Sequence, residues 1–193
     1  MIRSDIPELH YITPIANLSS IMQLGILSNK RVEKIPHVSI AMEEVQDRRR
    51  QKKIPGAGHL HDYANLYFDA HNPMLSARRD MNDAICVLRI KSDALSLDGV
   101  IITDKNASRD CWFKSVAEGL PLLNKDEIYA TFWLHDDFYE QDRRKGIKCA
   151  EALVPRCVNC FYIFGAFVAN TTALNNFRQV STLPVEINGS MFF

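Results

Sequence analysis

The sequence predicts an α+β fold formed by a single domain over residues 1–193. Short segments with strand-like alternation and segments with helical spacing follow one another in a mixed order, without a regular βαβ repeat. No internal repeat and no low-complexity linker divides the chain. A chain of 193 residues with a hydrophobic fraction of 47% is long enough for one sizeable core but short for two domains.

The first elements are a strand and two helices. "ELHYIT" alternates like a strand, and "IANLSSIMQLGIL" then places its apolar residues at helical spacing, with Gly25 as a suitable C-terminal stop. A charged helix is expected from Ser39 into the basic run Arg48–Lys53, and "IPGAG" should end it.

The middle of the chain is expected to contain three strands and two helices. "YANLYFDA" is typical of a strand, and "HNPML" of a turn into a helix with Asn72 as the cap and Pro73 in the first helical position. "AICVLRI" and "GVIITD" are predicted strands. "CWFKSVAEGLPLL" is predicted to be a helix.

The last third is expected to alternate between the two element types. "HDDFYEQDRRKGIK" should form a helix and a loop that lead into the strand "CAEALV". "CFYIFGAFV" is the most apolar strand, "NTTALNNFRQV" is a helix starting at an Asn or Thr cap, and "LPVEINGSMFF" forms a final strand or two.

One carboxylate stands out in the strand "CAEALV". Strand alternation places Ala150, Ala152 and Val154 on one face, and Cys149, Glu151 and Leu153 on the other. An isolated carboxylate in a half-buried strand costs several kcal/mol to desolvate unless it is paired or used. Glu151 is therefore a candidate functional residue. The alternative is a strand-edge glutamate that reaches water or a neighbouring Arg.

The charges balance overall but are unevenly distributed. Lys and Arg total 23, as do Asp and Glu, yet basic residues cluster at Arg48–Lys53, Arg78–Arg79 and Arg143–Lys148. Such clusters either contact phosphates or form solvated helix faces. No apolar run approaches the roughly 20 residues of a membrane span, and the first residues lack a signal-peptide core. A cytoplasmic protein without membrane contact is expected.

The cysteines and histidines do not indicate a metal site. Five cysteines without a secretion signal are not typical of a disulfide framework. Cys157 and Cys160 form a single C-x-x-C without the second pair that structural zinc usually needs. His59 and His61 have no obvious third ligand, so no metal is expected.

Three segments together carry a family resemblance. They are "YITPIANLSSIMQLGIL" from Tyr11, "VQDRRRQKKIPGAGHLHDYANLYFDAHNPML" from Val45 and "KCAEALV" from Lys148. Taken in this order they resemble the ADP-ribosyltransferase fold, and more closely the DarT family of DNA ADP-ribosyltransferase toxins. The resemblance implies a split central β-sheet with flanking helices.

The same resemblance implies an activity and its partners. A DarT-like chain would be the toxin of a toxin-antitoxin pair that transfers ADP-ribose from NAD to a base of single-stranded DNA and releases nicotinamide. Its protein partner would be a macrodomain antitoxin of the DarG type, able to remove ADP-ribose.

By position, the resemblance assigns roles to individual residues. Glu151 would be the catalytic glutamate and Arg48 the essential arginine, although the Arg triplet leaves Arg49 open. The NAD-binding residues would be His10, Tyr11, Thr13, Asn17, Leu27, Arg49, Tyr67 and Phe68, with either His10 or Tyr11 facing NAD. DNA contacts are expected from Arg78, Arg79, Arg143, Arg144, Lys145 and Lys148.

The expected roles follow from the chemistry. Breaking the bond between nicotinamide and ribose leaves positive charge on the sugar, which a fixed carboxylate stabilises. A planar Arg can bind pyrophosphate through two bonds or hold the acceptor nucleotide. Tyr67 and Phe68 could stack on the nicotinamide ring.

The sequence indicates the acceptor of the ADP-ribose less specifically than it indicates the reaction. "YANLYF" departs from the Val-Pro-Phe-Tyr-Phe form of thymidine-modifying members and is more similar to the guanosine-modifying branch, which favours guanine and leaves thymine open. The alternatives are an ADP-ribosyltransferase that acts on protein or RNA, and a non-catalytic nucleic-acid-binding module whose basic clusters contact phosphates.

Overall fold

An eight-stranded sheet dominates the computed structural model, which describes residues 1–193. The strands are β1 (Glu8–Pro14), β2 (Ile26–Leu27), β3 (Tyr63–Tyr67), β4 (Ile85–Lys91), β5 (Ile101–Thr103), β6 (Phe113–Ser115), β7 (Glu151–Pro155), β8 (Cys157–Val158), β9 (Ile163–Val168) and β10 (Val185–Ile187). The α-helices are α1 (Leu18–Leu24), α2 (Asn29–Val32), α3 (Glu43–Gln51), α4 (Pro73–Ser76), α5 (Val116–Gly119), α6 (Lys125–Ile128), α7 (Phe138–Ile147) and α8 (Thr171–Val180).

The large sheet is split in the middle. Its order is β10-β9-β4-β1-β3-β7-β5-β6, while β2 and β8 form a separate pair. β1 pairs with β4 along its whole length, but β1 pairs with β3 only where His10 lies opposite Tyr67. The two four-stranded halves are therefore joined by a single residue pair, which leaves a gap between β1 and β3.

Both faces of the sheet are covered. The main core includes Leu66, Leu88 and Ala152 from the strands, and Leu18 of α1 and Phe177 of α8 pack on this face. The opposite face carries a smaller cluster that includes Tyr67 and Phe167, together with Leu75 of α4. The order of elements and the flanking helices agree with the predicted α+β class.

Several local signals act as the sequence predicts. Gly25 ends α1 with φ +82°, where an added Cβ would lie 2.4 Å from the carbonyl oxygen of Val158. The Asn72 side chain accepts hydrogen bonds from the N–H groups of Met74 and Leu75 at the start of α4. Asn170 caps α8 in the same way.

Three boundaries differ from expectation. "CWFKSVAEGLPLL" begins with strand β6 instead of a helix, because Phe113–Ser115 pairs with β5, and the Ser115 side chain then caps α5. The charged helix begins at Glu43, after Met42 in extended conformation. The segment "HDDFYEQDRRKGIK", expected to be a helix followed by a loop, is helical as far as Ile147 in α7.

Two global features bear on function. No helix combines the length and the apolar composition needed to cross a bilayer. No group of three or more His, Cys, Asp or Glu side chains is arranged to hold a metal ion.

Candidate active site

A cleft opens where the sheet is split. It encloses a cavity of about 150 Å³, lined by Tyr11 and Thr13 of β1 and by Asn65 and Tyr67 of β3. The segment 35–41 lies along its outer side. His10 lies opposite Tyr67, so these two side chains share one face of the sheet. Tyr11 follows His10 in the strand and points to the opposite face. Tyr11 and Tyr67 therefore border the gap from opposite faces of the sheet.

Glu151 lies beside this cleft at the start of β7. It stands directly opposite Tyr67 on β3 and Thr103 on β5, so these three side chains share one face of the sheet. Its side chain is fully buried, and Arg49 of α3 donates two hydrogen bonds to its two carboxylate oxygens at 2.9 and 3.0 Å. The result is a buried, two-bonded ion pair.

Backbone groups complete the surroundings of the carboxylate. The N–H of Ala107 donates to Glu151 Oε1 at 3.2 Å. The hydroxyl of Thr103 accepts the backbone N–H of Glu151 at 3.2 Å and donates to the carbonyl of Lys105 at 2.7 Å. These contacts are not predictable from the sequence, since Thr103 and Ala107 become neighbours of Glu151 only when β5 pairs with β7.

The electrostatics keep Arg49 charged and Tyr67 neutral. Burial by itself lowers the pKa of Arg49, but the Glu151 carboxylate raises it above its ordinary value. Burial, and then the nearby Glu151, raises the pKa of Tyr67 well above 10. A guanidinium and a carboxylate held together away from water satisfy the requirement that buried charges be paired.

The arginine that contacts Glu151 is Arg49, one position after the expected Arg48. Arg48 is exposed and makes no side-chain hydrogen bond, whereas Arg49 is 6% exposed. A one-residue step turns a helix by about 100°, so neighbours cannot share a face. Val45, half-buried and four residues before Arg49, marks the inward face. The four-residue spacing from Val45 to Arg49 is therefore the sequence feature that distinguishes Arg49 from Arg48.

Five of the eight expected NAD-binding residues line the cavity, and three do not: His10, Phe68 and Arg49, which is bound to Glu151. Tyr11, Thr13, Asn17, Leu27 and Tyr67 line it. His10 points away: its Nε2 and Glu8 Oε1 are hydrogen-bonded at 2.9 Å, and its ring lies beside Phe167. Phe68 is fully buried in the main core, because it follows Tyr67 and so faces the other side. The structure thus favours Tyr11 over His10 and corrects the expected place of Phe68.

Asn17 holds the outer wall of the cavity. Its side chain accepts the N–H of Val38 at 2.9 Å and donates to the carbonyl of Val38 at 2.8 Å. The 35–41 segment is therefore attached to the end of β1 through one amide group. Val38 and Asn65 are lining residues that the sequence did not single out.

Lys148 is a structural residue and not an accessible DNA contact. Its side chain is 1% exposed, and the ammonium donates to Asp69 and to the carbonyl oxygens of Ile128 and Ala130. Three acceptors use all three of its N–H donors. This corrects the expected role.

The remaining expected DNA contacts fall into two groups. Arg143 and Arg144 both donate to Glu140, which lowers the pKa of that carboxyl to about 2, and the Nε of Arg78 donates to the carbonyl of Ile40 at 2.6 Å. Arg79 and Lys145 make no ion pair, and both line a second cavity. Of the six predicted contacts, these two make neither an ion pair nor a side-chain hydrogen bond, whereas Arg78 is hydrogen-bonded to carbonyl oxygens.

The chain matches known proteins over most of its length. A family model described as "ssDNA thymidine ADP-ribosyltransferase, DarT" matches residues 10–193. A "DNA ADP-ribosyl transferase-DNA ADP-ribosyl glycohydrolase fusion protein" of Thermosipho africanus is 29% identical over 202 residues, covering 96% of this chain and 49% of the relative. A "DNA ADP-ribosyl transferase" of Thermus sp. strain 2.9 is 30% identical over 138 residues, covering 65% of this chain and 66% of the relative.

Solved structures give the same result. Thermosipho africanus DarTG in complex with ADP-ribose superposes with a TM-score of 0.85 at 26% identity, covering 96% of this chain and 51% of the other. Thermus sp. 2.9 DarT in complex with ADP-ribosylated ssDNA gives 0.80 at 25% identity, covering 98% and 97%. The chain spans about half the length of the Thermosipho relative. The predicted fold and family are confirmed, and the chain belongs to the DarT family.

Proposed function

We propose that this chain transfers ADP-ribose from NAD to a base of single-stranded DNA and releases nicotinamide. The observation that carries the proposal is the buried Arg49–Glu151 pair beside the cleft, in a chain of the DarT family. The Thermus sp. 2.9 relative is described in complex with ADP-ribosylated ssDNA, which is the product such a reaction would form.

The lining of the cleft suits the nicotinamide and ribose part of NAD. Tyr11 and Tyr67 offer aromatic surfaces for a planar ring, and Thr13, Asn17 and Asn65 offer polar groups for sugar hydroxyls. A volume of about 150 Å³ is below the roughly 300–1,000 Å³ of usual small-molecule sites. The enclosed space therefore accommodates the nicotinamide and ribose part of NAD and not the whole molecule.

The proposed step exchanges one bond at the ribose anomeric carbon for another. NAD supplies a ribose whose bond to the nicotinamide nitrogen breaks, with the electron pair leaving on nicotinamide. A nitrogen of the acceptor base forms the new bond to that carbon and gives up its proton. The Glu151 carboxylate stabilises the positive charge that develops on the sugar and can accept the proton.

Arg49 acts through Glu151 in this proposal. Its two hydrogen bonds, at 2.9 and 3.0 Å, hold both carboxylate oxygens in one plane, and the N–H of Ala107 adds a third contact. A carboxylate oriented before the reaction needs little rearrangement when charge develops. The exposed Arg48 has no such contact, so we assign the essential arginine to Arg49.

The biological setting follows from the relatives. The Thermosipho relative is described as a fusion of a DNA ADP-ribosyl transferase with a DNA ADP-ribosyl glycohydrolase. We infer that this chain is the toxin of a toxin-antitoxin pair, and that its partner is a macrodomain antitoxin that removes ADP-ribose from DNA. We further propose that residues 1–193 act as one transferase domain in the cytoplasm, where NAD and DNA are both present.

The test is mass analysis of single-stranded oligonucleotides that contain either thymine or guanine as the candidate acceptor. Incubation with NAD and the unmodified chain should add one ADP-ribose to one base type, and Glu151→Gln should add none. "YANLYF" favours guanine, whereas the family description names thymidine. Nuclease digestion of the product identifies the base.

Matched variants separate the alternatives. Arg49→Gln should abolish transfer, whereas Arg48→Gln should retain it, and the reverse result would return the essential role to Arg48. Nicotinamide release without a DNA adduct would indicate a protein or RNA acceptor. Neither release nor adduct would leave a non-catalytic nucleic-acid-binding module.

A further inference from the structure

The loop between β5 and β6, residues 104–112, lies against the carboxylate of Glu151. Ala107 of this loop is fully buried, and its N–H donates to Glu151 Oε1 at 3.2 Å. The same oxygen accepts a hydrogen bond from Arg49 at 2.9 Å. Because the contact from Ala107 comes from the backbone, its geometry changes whenever the loop moves. Whatever fixes the loop therefore also fixes one side of the carboxylate.

The side chain of Arg109 attaches the loop to α7. Its guanidinium donates to the two carboxylate oxygens of Asp142 at 2.7 and 3.0 Å, and to the Asp142 carbonyl oxygen at 3.3 Å. These bonds lower the pKa of Asp142, so its carboxylate stays charged at neutral pH. A planar guanidinium bound through two bonds fixes the orientation of its partner as well as the distance. Arg109 therefore holds the loop in one position on the helix that leads into β7.

The backbone of Arg109 attaches the same loop to the end of α3. Lys52 follows the last residue of that helix, and its ammonium donates to the Arg109 carbonyl oxygen at 2.8 Å. The ammonium also lies 5.8 Å from the centre of the Phe113 ring. Lys52 is three residues after Arg49, the partner of Glu151. Arg109 thus joins the three parts of the chain that surround the carboxylate, which are α3, α7 and the loop.

The contact between Arg109 and Asp142 is suited to placing groups and not to stabilising the fold. The two side chains are 39% and 50% exposed, and ion pairs with such exposure contribute little to stability. Reaction rates depend far more steeply on geometry, since a misplacement of about 1 Å can cost about a hundredfold in rate. Loss of this contact should therefore change the reaction more than it changes the free energy of unfolding.

We propose that Arg109 is a positioning residue that, through Asp142 and Lys52, holds the Ala107 N–H on the Glu151 carboxylate. The proposal rests on the proposed function and deepens it, because the carboxylate must be fixed before positive charge develops on the ribose. Arg109 is not among the residues that line the cleft. Its loss should therefore slow the chemical step and leave the binding of NAD and DNA nearly unchanged.

The kinetic test uses two variants that break the same contact from opposite sides. Arg109→Gln and Asp142→Asn should each lower kcat by about tenfold or more, with the KM for NAD and for the oligonucleotide within about twofold. The double variant should lose no more than either single variant, because the two residues act as a unit. Asp5→Asn is the matched control, since it breaks the 2.8 Å ion pair with Lys125, and it should keep kcat.

Hydrogen exchange at the Ala107 amide tests the geometry without any reaction. A buried and hydrogen-bonded N–H exchanges only when its segment opens. Exchange at Ala107 should be faster in Arg109→Gln and Asp142→Asn than in the unmodified chain, and unchanged in Asp5→Asn. The free energy of unfolding of the two variants should match that of Asp5→Asn, which separates a local release of the loop from general loss of stability.

Several results would overturn the positioning role. Unchanged kcat and unchanged Ala107 exchange in both variants would do so, as would additive losses of kcat in the double variant. A raised KM for the oligonucleotide at unchanged kcat would assign Arg109 to acceptor binding instead. If the unmodified chain modifies no single-stranded DNA, the proposed function is refuted, while Ala107 exchange still decides whether Arg109 holds the loop on Glu151.

Discussion

Removal of the Arg49 side chain should destabilise the fold as well as stop the reaction. Glu151 is fully buried, and Arg49→Met would remove both of its charge-assisted hydrogen bonds while leaving only the 3.2 Å contact from Ala107. Removing one partner of a buried ion pair costs about 3–5 kcal/mol. For a chain of this length, that corresponds to a fall in Tm of about 6–20 °C.

The assay is urea unfolding of four chains, followed by fluorescence. Arg48→Met is the matched control and should change the free energy of unfolding by less than about 0.5 kcal/mol, because Arg48 is exposed and unpaired. The double variant Arg49→Met/Glu151→Leu should recover much of the loss, since it leaves no unpaired buried charge.

Two results would refute this reasoning. A loss for Arg49→Met that matches that of Arg48→Met would mean that the two-bonded pair does not form in solution. A double variant as unstable as Arg49→Met alone would mean that lost packing, and not the unpaired carboxylate, causes the instability.

Three further predictions concern residues around the site. Lys148→Met should lower the free energy of unfolding in urea by about 3 kcal/mol or more, because Asp69 and two carbonyl oxygens lose their hydrogen-bond donor. Lys145→Met is the control and should lower it little. Equal effects of the two substitutions would contradict the structural role of Lys148. Gly25→Ala should lower the free energy of unfolding by more than about 1 kcal/mol, because the new Cβ would lie 2.4 Å from the Val158 carbonyl oxygen. Gly56 has a similar φ but open space around it, so Gly56→Ala should cost less. An equal loss for both substitutions would show that φ alone matters. Burial, and then Arg49, lowers the pKa of His61 below its ordinary 6.5, so below that pH the unfolded chain gains a proton that the folded chain does not, and stability falls. His61→Gln should therefore lose less stability than the unmodified chain between pH 7.5 and 5.5, and an identical loss would exclude His61 as a cause.

Signals that depend on a few adjacent residues were predictable. The Asn72 cap with Pro73 behind it and the Gly25 stop each depend on local backbone geometry, and each is where the sequence predicts it. The two faces of β7 also follow from alternation alone: Ala152 and Val154 are in the main core, and Glu151 faces away from it.

The strand β6 shows where local reasoning failed. The segment from Cys111 has the composition of a helix, but Phe113–Ser115 lies at the edge of the sheet and gains backbone hydrogen bonds from β5. Strand pairing depends on which segment arrives alongside, and that neighbour is not encoded in the spacing of the segment itself.

What the sequence alone determined is the chemical content of the site: a lone carboxylate on a strand, an arginine cluster, and the family pattern that joins them. Tertiary structure decided which arginine is used, because Val45 is the one apolar residue of α3 and only the packing of that helix turns Arg49 inward. It also decided that Lys148 is buried, because its partner Asp69 is 79 positions away. The number of charged residues can be read from the sequence, but which of them form ion pairs and which are exposed depends on the distances that folding creates.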